Sequence, residues 1–186
     1  MRKRLVSMSV DLNELQERAR RVRLLLLDVD GVLTDGVVSI DSSGGESKHF
    51  FIRDGISLIW ARRSGLNVGL LSGRSSATTT RRAAELGIPI VSQGGTDKRV
   101  GYAEILAAHG YADEDVAYMA DDVLDLPVLC RVGLSTAPAD AVDDVRSRVH
   151  WTSQYAGGRG AVRELVEMIL QAQGHWQGIV DAFLKP

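Results

Sequence analysis

The chain has 186 residues, 45% apolar and 25% charged, which is enough for one folded domain with a substantial core. Twenty-two Lys and Arg stand against 24 Asp and Glu, a net charge of −2, so neither nucleic acid nor an anionic membrane is an expected partner. The single cysteine, Cys130, excludes an intrachain disulfide, and its Leu-Cys setting predicts a buried small hydrophobe.

The first ten residues are expected to be loose. Leu12, Leu15 and Ala19 fall at helical spacing among charged residues and predict an amphipathic helix over 11–21. Residues 24–27 are an all-leucine run that stops at Asp28, as a strand buried on both faces would before emptying into a loop. That run is far too short to span a bilayer and no secretory pattern precedes it, so a cytoplasmic protein is expected. Two β-like runs, 36–41 and 46–51, flank Ser42-Ser43-Gly44-Gly45 and predict a hairpin. Helical patterns over 55–63, 75–86, 97–109 and 139–145 then alternate with strand-like runs over 67–71, 88–91, 116–119 and 132–134. After Gly157-Gly158-Arg159-Gly160 comes an apolar helix over 161–172, and a tail of about 174–186 carries Trp176 and Phe183. Trp60 falls on an apolar helix face and is expected in the core, while the four histidines show no metal-ligand spacing. This alternation reads as an α/β fold: a Rossmann-like parallel sheet with helices on both faces, in one domain over 1–186, with a protruding β-hairpin at about 36–51.

Such sheets bind ligands outside the carboxyl ends of their strands, and Asp28, Ser72 and Asp121 all fall at such ends. A carboxylate like Asp28 can attack phosphorus, and a second carboxylic acid two residues on, Asp30, can protonate the leaving alcohol and later activate water. Asp121, Asp122 and Asp125 bring a second acidic cluster to the same edge. Concentrated carboxylates repel unless a cation neutralises them, and magnesium prefers hard oxygen ligands. Ser72-Gly73-Arg74 follows a strand and is expected to open a helix, where a hydroxyl and backbone N–H groups can hold phosphate oxygens. Lys98 could neutralise charge on a transferring group. Taken singly, each has a plain alternative: an acidic turn, a solvated acidic loop, a helix-capping serine, a surface lysine.

The run Asp28-Val29-Asp30-Gly31-Val32-Leu33-Thr34-Asp35-Gly36 resembles the first motif of the haloacid dehalogenase-like phosphatase superfamily, and Ser72, Lys98 and Asp121 match its second, third and fourth motifs in order. The resemblance covers residues 24–126. It implies that Asp28 is nucleophile and metal ligand, that Asp30 is general acid and base and binds magnesium through its carbonyl, and that Asp121 completes the metal site. It further implies that Ser72 and Lys98 bind the phosphoryl group, while Asp122 and Asp125 orient the cluster. Ala120 departs from the glycine usual in the fourth motif.

The intervals between motifs leave no room for the cap domain common in that superfamily, so a capless core is expected, with another chain as its lid and the hairpin as the contact. The segments at 26–36, 51–55 (Phe-Ile-Arg-Asp-Gly) and 156–164 (Ala-Gly-Gly-Arg-Gly-Ala-Val-Arg-Glu) are together similar to the 3-deoxy-D-manno-octulosonate 8-phosphate phosphatases. This similarity implies a homotetramer, a phosphorylated sugar acid substrate, and a place in lipopolysaccharide synthesis. The substrate's carboxylate calls for a guanidinium, with Arg74 the first candidate, beside Gly73, and Arg159 the second. Phosphatases of nine-carbon sugar acid 9-phosphates carry the same segments, and a noncatalytic oligomeric module of this fold is the alternative from another class. Retention of Asp28, Asp30, Ser72, Lys98 and Asp121 argues against that module.

Overall fold

The computed structural model describes residues 11–185; the first ten residues, expected to be loose, and Pro186 lie outside the described residues. Helix α1 (Leu12–Arg21) is capped by the Asp11 carboxylate and buries Leu15 and Ala19. Strand β1 (Leu24–Leu27) is fully buried at every residue. The hairpin is shorter than its β-like runs: β2 (Ser39–Ile40) and β3 (Glu46–Ser47) pair antiparallel, with an isolated bridge from Thr34 to Phe50 behind them. Helix α2 (Ile52–Arg63), strand β4 (Asn67–Ser72) and helix α3 (Ala77–Leu86) follow.

Strand β5 (Ile90–Gln93) begins two residues later than expected. The N–H of Ile88 is taken by the carbonyl of Ala83 at the end of α3, and Pro89 has no N–H to give a ladder. Helix α4 (Lys98–His109), strand β6 (Val116–Met119) and the one-turn α5 (Leu126–Leu129) lead to β7 (Leu134–Ala137). The run expected at 132–134 is displaced because Val132 still bonds back to Val128 and Gly133 donates to Asp113. Cys130, expected buried, is exposed: α5 ends at Leu129 after Val128 and Leu129 have filled the core positions. Only α6 (Asp143–Arg146) forms within 139–145, since the N–H groups of Ala139 and Ala141 bond to Tyr155 and Pro138 instead. The chain closes with β8 (Trp151–Thr152), α7 (Ala161–Ala172) and α8 (Trp176–Leu184), of which β8 and α8 are not visible as patterns in the sequence.

Six parallel strands form one sheet in the order β5-β4-β1-β6-β7-β8. Alternate leucines of β1 face opposite ways. Leu25 and Leu27 join the core beneath α1, α2, α3 and α7, whereas Leu24 and Leu26 join the one beneath α4, α5 and α6. Trp60 is half-buried rather than core, and α8 covers it: the ring centroids of Trp176 and Phe183 lie 5.9 and 5.8 Å away. From β1 the chain runs outward through β4 and β5, then returns to β6 on the other side of β1. The crevice beyond the carboxyl end of β1 is therefore a topological switch point.

Candidate active site

Asp28 leaves β1 into that crevice and is only 7% exposed. One carboxylate oxygen accepts the Val29 N–H at 2.7 Å, and the other lies 2.9 Å from the Lys98 ammonium. Lys98 is the first residue of α4, a position that aims its side chain back over the strand ends. Asp125, 1% exposed, grips the same ammonium at 2.5 Å and accepts the hydroxyl of the fully buried Tyr118.

Asp28, Asp121 and Asp125 each offer an oxygen within 4.8 Å of the others. Burial, joined by the charge of Asp125, pushes Asp28 up to about 6 against the pull of Lys98. Burial and the charges of Asp28 and Asp125 push Asp121 up to about 7. Lys98 moves upward as well: burial disfavours its charge, but Asp28 and Asp125 outweigh that. Three carboxylates around one ammonium leave a surplus of negative charge on hard oxygens. A magnesium ion fits that donor set.

Gly31 makes the crowding possible. Its φ is +85°, and a Cβ there would collide with the carboxylate of Asp121. Ala120, fully buried without positive φ, packs its methyl into the α4 side of the core, so the departure from glycine is absorbed without strain.

Ser72 ends β4, 3% exposed, with its hydroxyl accepting the Arg74 N–H at 3.3 Å. It does not open a helix as expected. Helix α3 starts at Ala77 and is capped by Ser76, which removes the helix-cap explanation for Ser72. Asp28, Asp30, Ser72, Gly73, Arg74, Lys98 and Asp121 line one cleft of about 300 Å³, together with the buried Asp125 and the exposed Asp122. Asp122 is exposed and accepts the Val123 N–H at 2.6 Å, a local turn contact. Arg159 lies apart. It lines a separate cavity of about 480 Å³ with Arg53, Tyr155 and Arg163, and sits 3.6 Å from Asp35.

The Asp30 carboxylate stands outside the three-carboxylate group and meets Lys48 instead, at 2.7 and 3.0 Å. Sequence reasoning missed Lys48. Glu46 and Lys48 share one face of the hairpin strand by the two-residue period, and that pairing of charges was the available signal. It also missed Asp54, whose carboxylate accepts the N–H groups of Gly160 and Arg163 at 3.3 and 2.8 Å and caps α7. Burial pushes that group up to about 6 in spite of both donors. The segments at 51–55 and 156–164, distant in sequence, thus interlock. Gly157 and Gly158 press against the backbone of Gly31 and Thr34 in the first motif.

No protein-family model matches the chain. Among curated proteins, the 3-deoxy-D-manno-octulosonate 8-phosphate phosphatase of Escherichia coli (strain B / BL21-DE3) is 41% identical over 161 residues, 87% of this chain and 86% of that protein. Its counterpart from Yersinia pestis is 42% identical over 162 residues, covering 87% of each. Among solved structures, the same-named phosphatase from Moraxella catarrhalis, in complex with magnesium, phosphate and a KDO molecule, superposes with a TM-score of 0.91 at 34% identity. The match covers 93% of this chain and 99% of that one.

Proposed function

The chain belongs to the 3-deoxy-D-manno-octulosonate 8-phosphate phosphatase family of the haloacid dehalogenase-like superfamily, and from that membership we propose that it hydrolyses this eight-carbon sugar acid phosphate to the free acid and phosphate. One observation carries the reading to these residues: Asp28 is buried against Lys98 at the switch point, among carboxylates that need a cation.

In the first step an Asp28 oxygen bonds to phosphorus as the bond to the sugar oxygen breaks, and Asp30 gives that oxygen a proton. In the second, water attacks the aspartyl-phosphate, its proton passes to Asp30, and Asp28 is freed. Lys98 and Ser72 hold the phosphoryl oxygens, and Asp125 with Tyr118 fixes Lys98. Asp28, Asp121 and the carbonyl of Asp30 would hold magnesium, with Asp125 the third carboxylate in reach. When bound, the ion supplies positive charge against both the carboxylates and the phosphate.

Arg74, 3.0 Å from Glu46 and half exposed, is the group for the sugar acid's carboxylate. The remote place of Arg159 suits a contact with a neighbouring subunit better than its own cleft. A homotetramer built through the hairpins would close the open cleft, and a place in lipopolysaccharide synthesis follows from the product. No described helix is long and apolar enough to cross a membrane, and we assign the enzyme to the cytoplasm.

A phosphate-release screen over eight-carbon and nine-carbon sugar acid phosphates, with magnesium and with chelator, tests the whole reading. We expect magnesium-dependent release that is fastest from the 8-phosphate. Preference for a 9-phosphate would move the substrate, undiminished release in chelator would remove the metal, and silence on every ester would favour a noncatalytic module.

A further inference from the structure

Three lysines lie among the described residues; Lys185 is exposed, whereas Lys48 and Lys98 are buried. Burying an ammonium is costly unless it is paired, so each buried lysine must be answered by its surroundings. The answers are the two aspartates of one motif. Lys98 meets Asp28, and Lys48, with no side-chain exposure, meets Asp30. We propose that Lys48 is a positioning residue, which holds the Asp30 carboxyl on the leaving-group side of the cleft and out of the metal-binding carboxylates. This rests on the phosphatase reading above and deepens it.

The placement of Lys48 is determined from several sides. It reaches inward from the end of the hairpin, whose neighbouring residues Ser39, Ile40 and Ser47 are exposed. Its ammonium lies 3.5 Å from the Thr79 hydroxyl on α3 and 3.7 Å from Glu46. Glu46 is itself fixed, accepting the Ser76 hydroxyl at 2.6 Å and pairing with Arg74 at 3.0 Å. Asp30 precedes Gly31, whose backbone abuts the Asp121 carboxylate, and Asp30 lines the same cleft as Asp28 and Asp121. With Lys48 in place, one Asp30 oxygen takes a hydrogen bond from the ammonium, and the other makes no directed hydrogen bond among the described residues. The hairpin would thereby set the proton donor, while the sheet sets the nucleophile.

A plain ion pair that merely anchors the hairpin predicts something different, and esters with unequal leaving groups separate the two. Departure of a sugar alkoxide needs a proton, whereas departure of 4-nitrophenolate does not. The quantity to compare is kcat/KM, which covers only the steps up to loss of the alcohol. For Lys48→Met in the full chain we expect kcat/KM on the sugar acid 8-phosphate to fall at least about tenfold more than on 4-nitrophenyl phosphate, a share of the 10²–10⁴ that general acids contribute. The aryl ester also reports that the variant's site is folded. Asp30→Asn should shift the ratio in the same direction. The double variant should then be no slower on the sugar ester than Asp30→Asn alone, because the lysine acts through that one group. Equal losses on both esters, no loss on either, or losses that multiply in the double variant would each overturn the positioning role. Failure of the unmodified chain to release phosphate from any ester would instead bring down the phosphatase reading beneath it.

Discussion

On the sheet side of the cleft, Asp28 and Asp121 extend from β1 and β6, strands whose every residue is buried; on the hairpin side, β2 is wholly exposed, and of β3 Ser47 is exposed and Glu46 partly so. Apolar burial on both faces holds the first region in place, and it does not weaken with salt. The second is held to the domain by Lys48, Glu46, Arg74 and Ser76, through charge pairs and hydrogen bonds. The difference suggests a division of labour. In the proposed mechanism, bond making at phosphorus needs a nucleophile fixed to a fraction of an ångström, and Asp28 is mounted on the rigid half. Substrate entry and contact with a neighbour need adaptation, and only the exposed turn of the hairpin, beyond the buried Lys48 that ties its base to the domain, lacks the burial that would resist it.

The sharpest way to break this comparison is at its rigid centre. Asp28→Asn should lower phosphate release by about four orders of magnitude or more, since an amide is no nucleophile. The fold should survive. Burial has already pushed Asp28 up to about 6, so the native structure disfavours its charge, and a neutral isostere removes that burden while Lys98 keeps Asp125. We expect a melting temperature in chelator equal to or above that of the parent. A variant that turned over substrate normally would end the nucleophile assignment, and one that unfolded would show that Asp28 is structural.

Next in size is an effect on the scaffold alone. Leu26→Ala removes a fully buried side chain packed between Gly69 and the α4 face, and a core cavity of this kind costs about 2–5 kcal/mol. In thermal unfolding that should lower the midpoint by roughly 5–15 °C for a chain of this size. A shift under about 2 °C would mean that β1 is not the rigid element described here.

The same contrast governs what could be read from sequence. The strands at 24–27 and 116–119 and the helix at 161–172 are legible to the residue, because continuous burial or a strong apolar face writes itself into a run. Asp28 and Asp121 are legible with them, as polar residues where such runs stop, whereas Lys98, early in a helical pattern, stands out only through its match to the third motif. What escaped depends on contacts between distant segments. Strand β8 is two residues long, α8 exists by packing on Trp60, and Asp54 caps a helix more than a hundred residues away. Lys48 reads as a solvated residue of a polar hairpin until α3 is seen to close over it. The Asp30 side chain, joined to Asp28 by spacing, pairs with that ammonium and stands outside the group of Asp28, Asp121 and Asp125. Cys130 failed for a local reason, since two residues before it had already filled the core.

The smallest expected effect on folding bears most directly on the hairpin. Ile40 is 70% exposed on a two-residue strand, so Ile40→Ser should change the stability of the isolated subunit by no more than about 0.5 kcal/mol. Exposed Ile40 and, three residues before it, exposed Val37 are apolar positions that a hairpin-to-hairpin contact would cover. If the hairpins join the subunits, the same substitution should reduce the mass seen by light scattering at a fixed concentration and leave the catalytic carboxylates untouched. A full-sized oligomer with Ile40→Ser would place the contact elsewhere. A large loss of subunit stability would show that the hairpin is part of the core, and the two sides of the cleft would then not differ in the way their burial indicates.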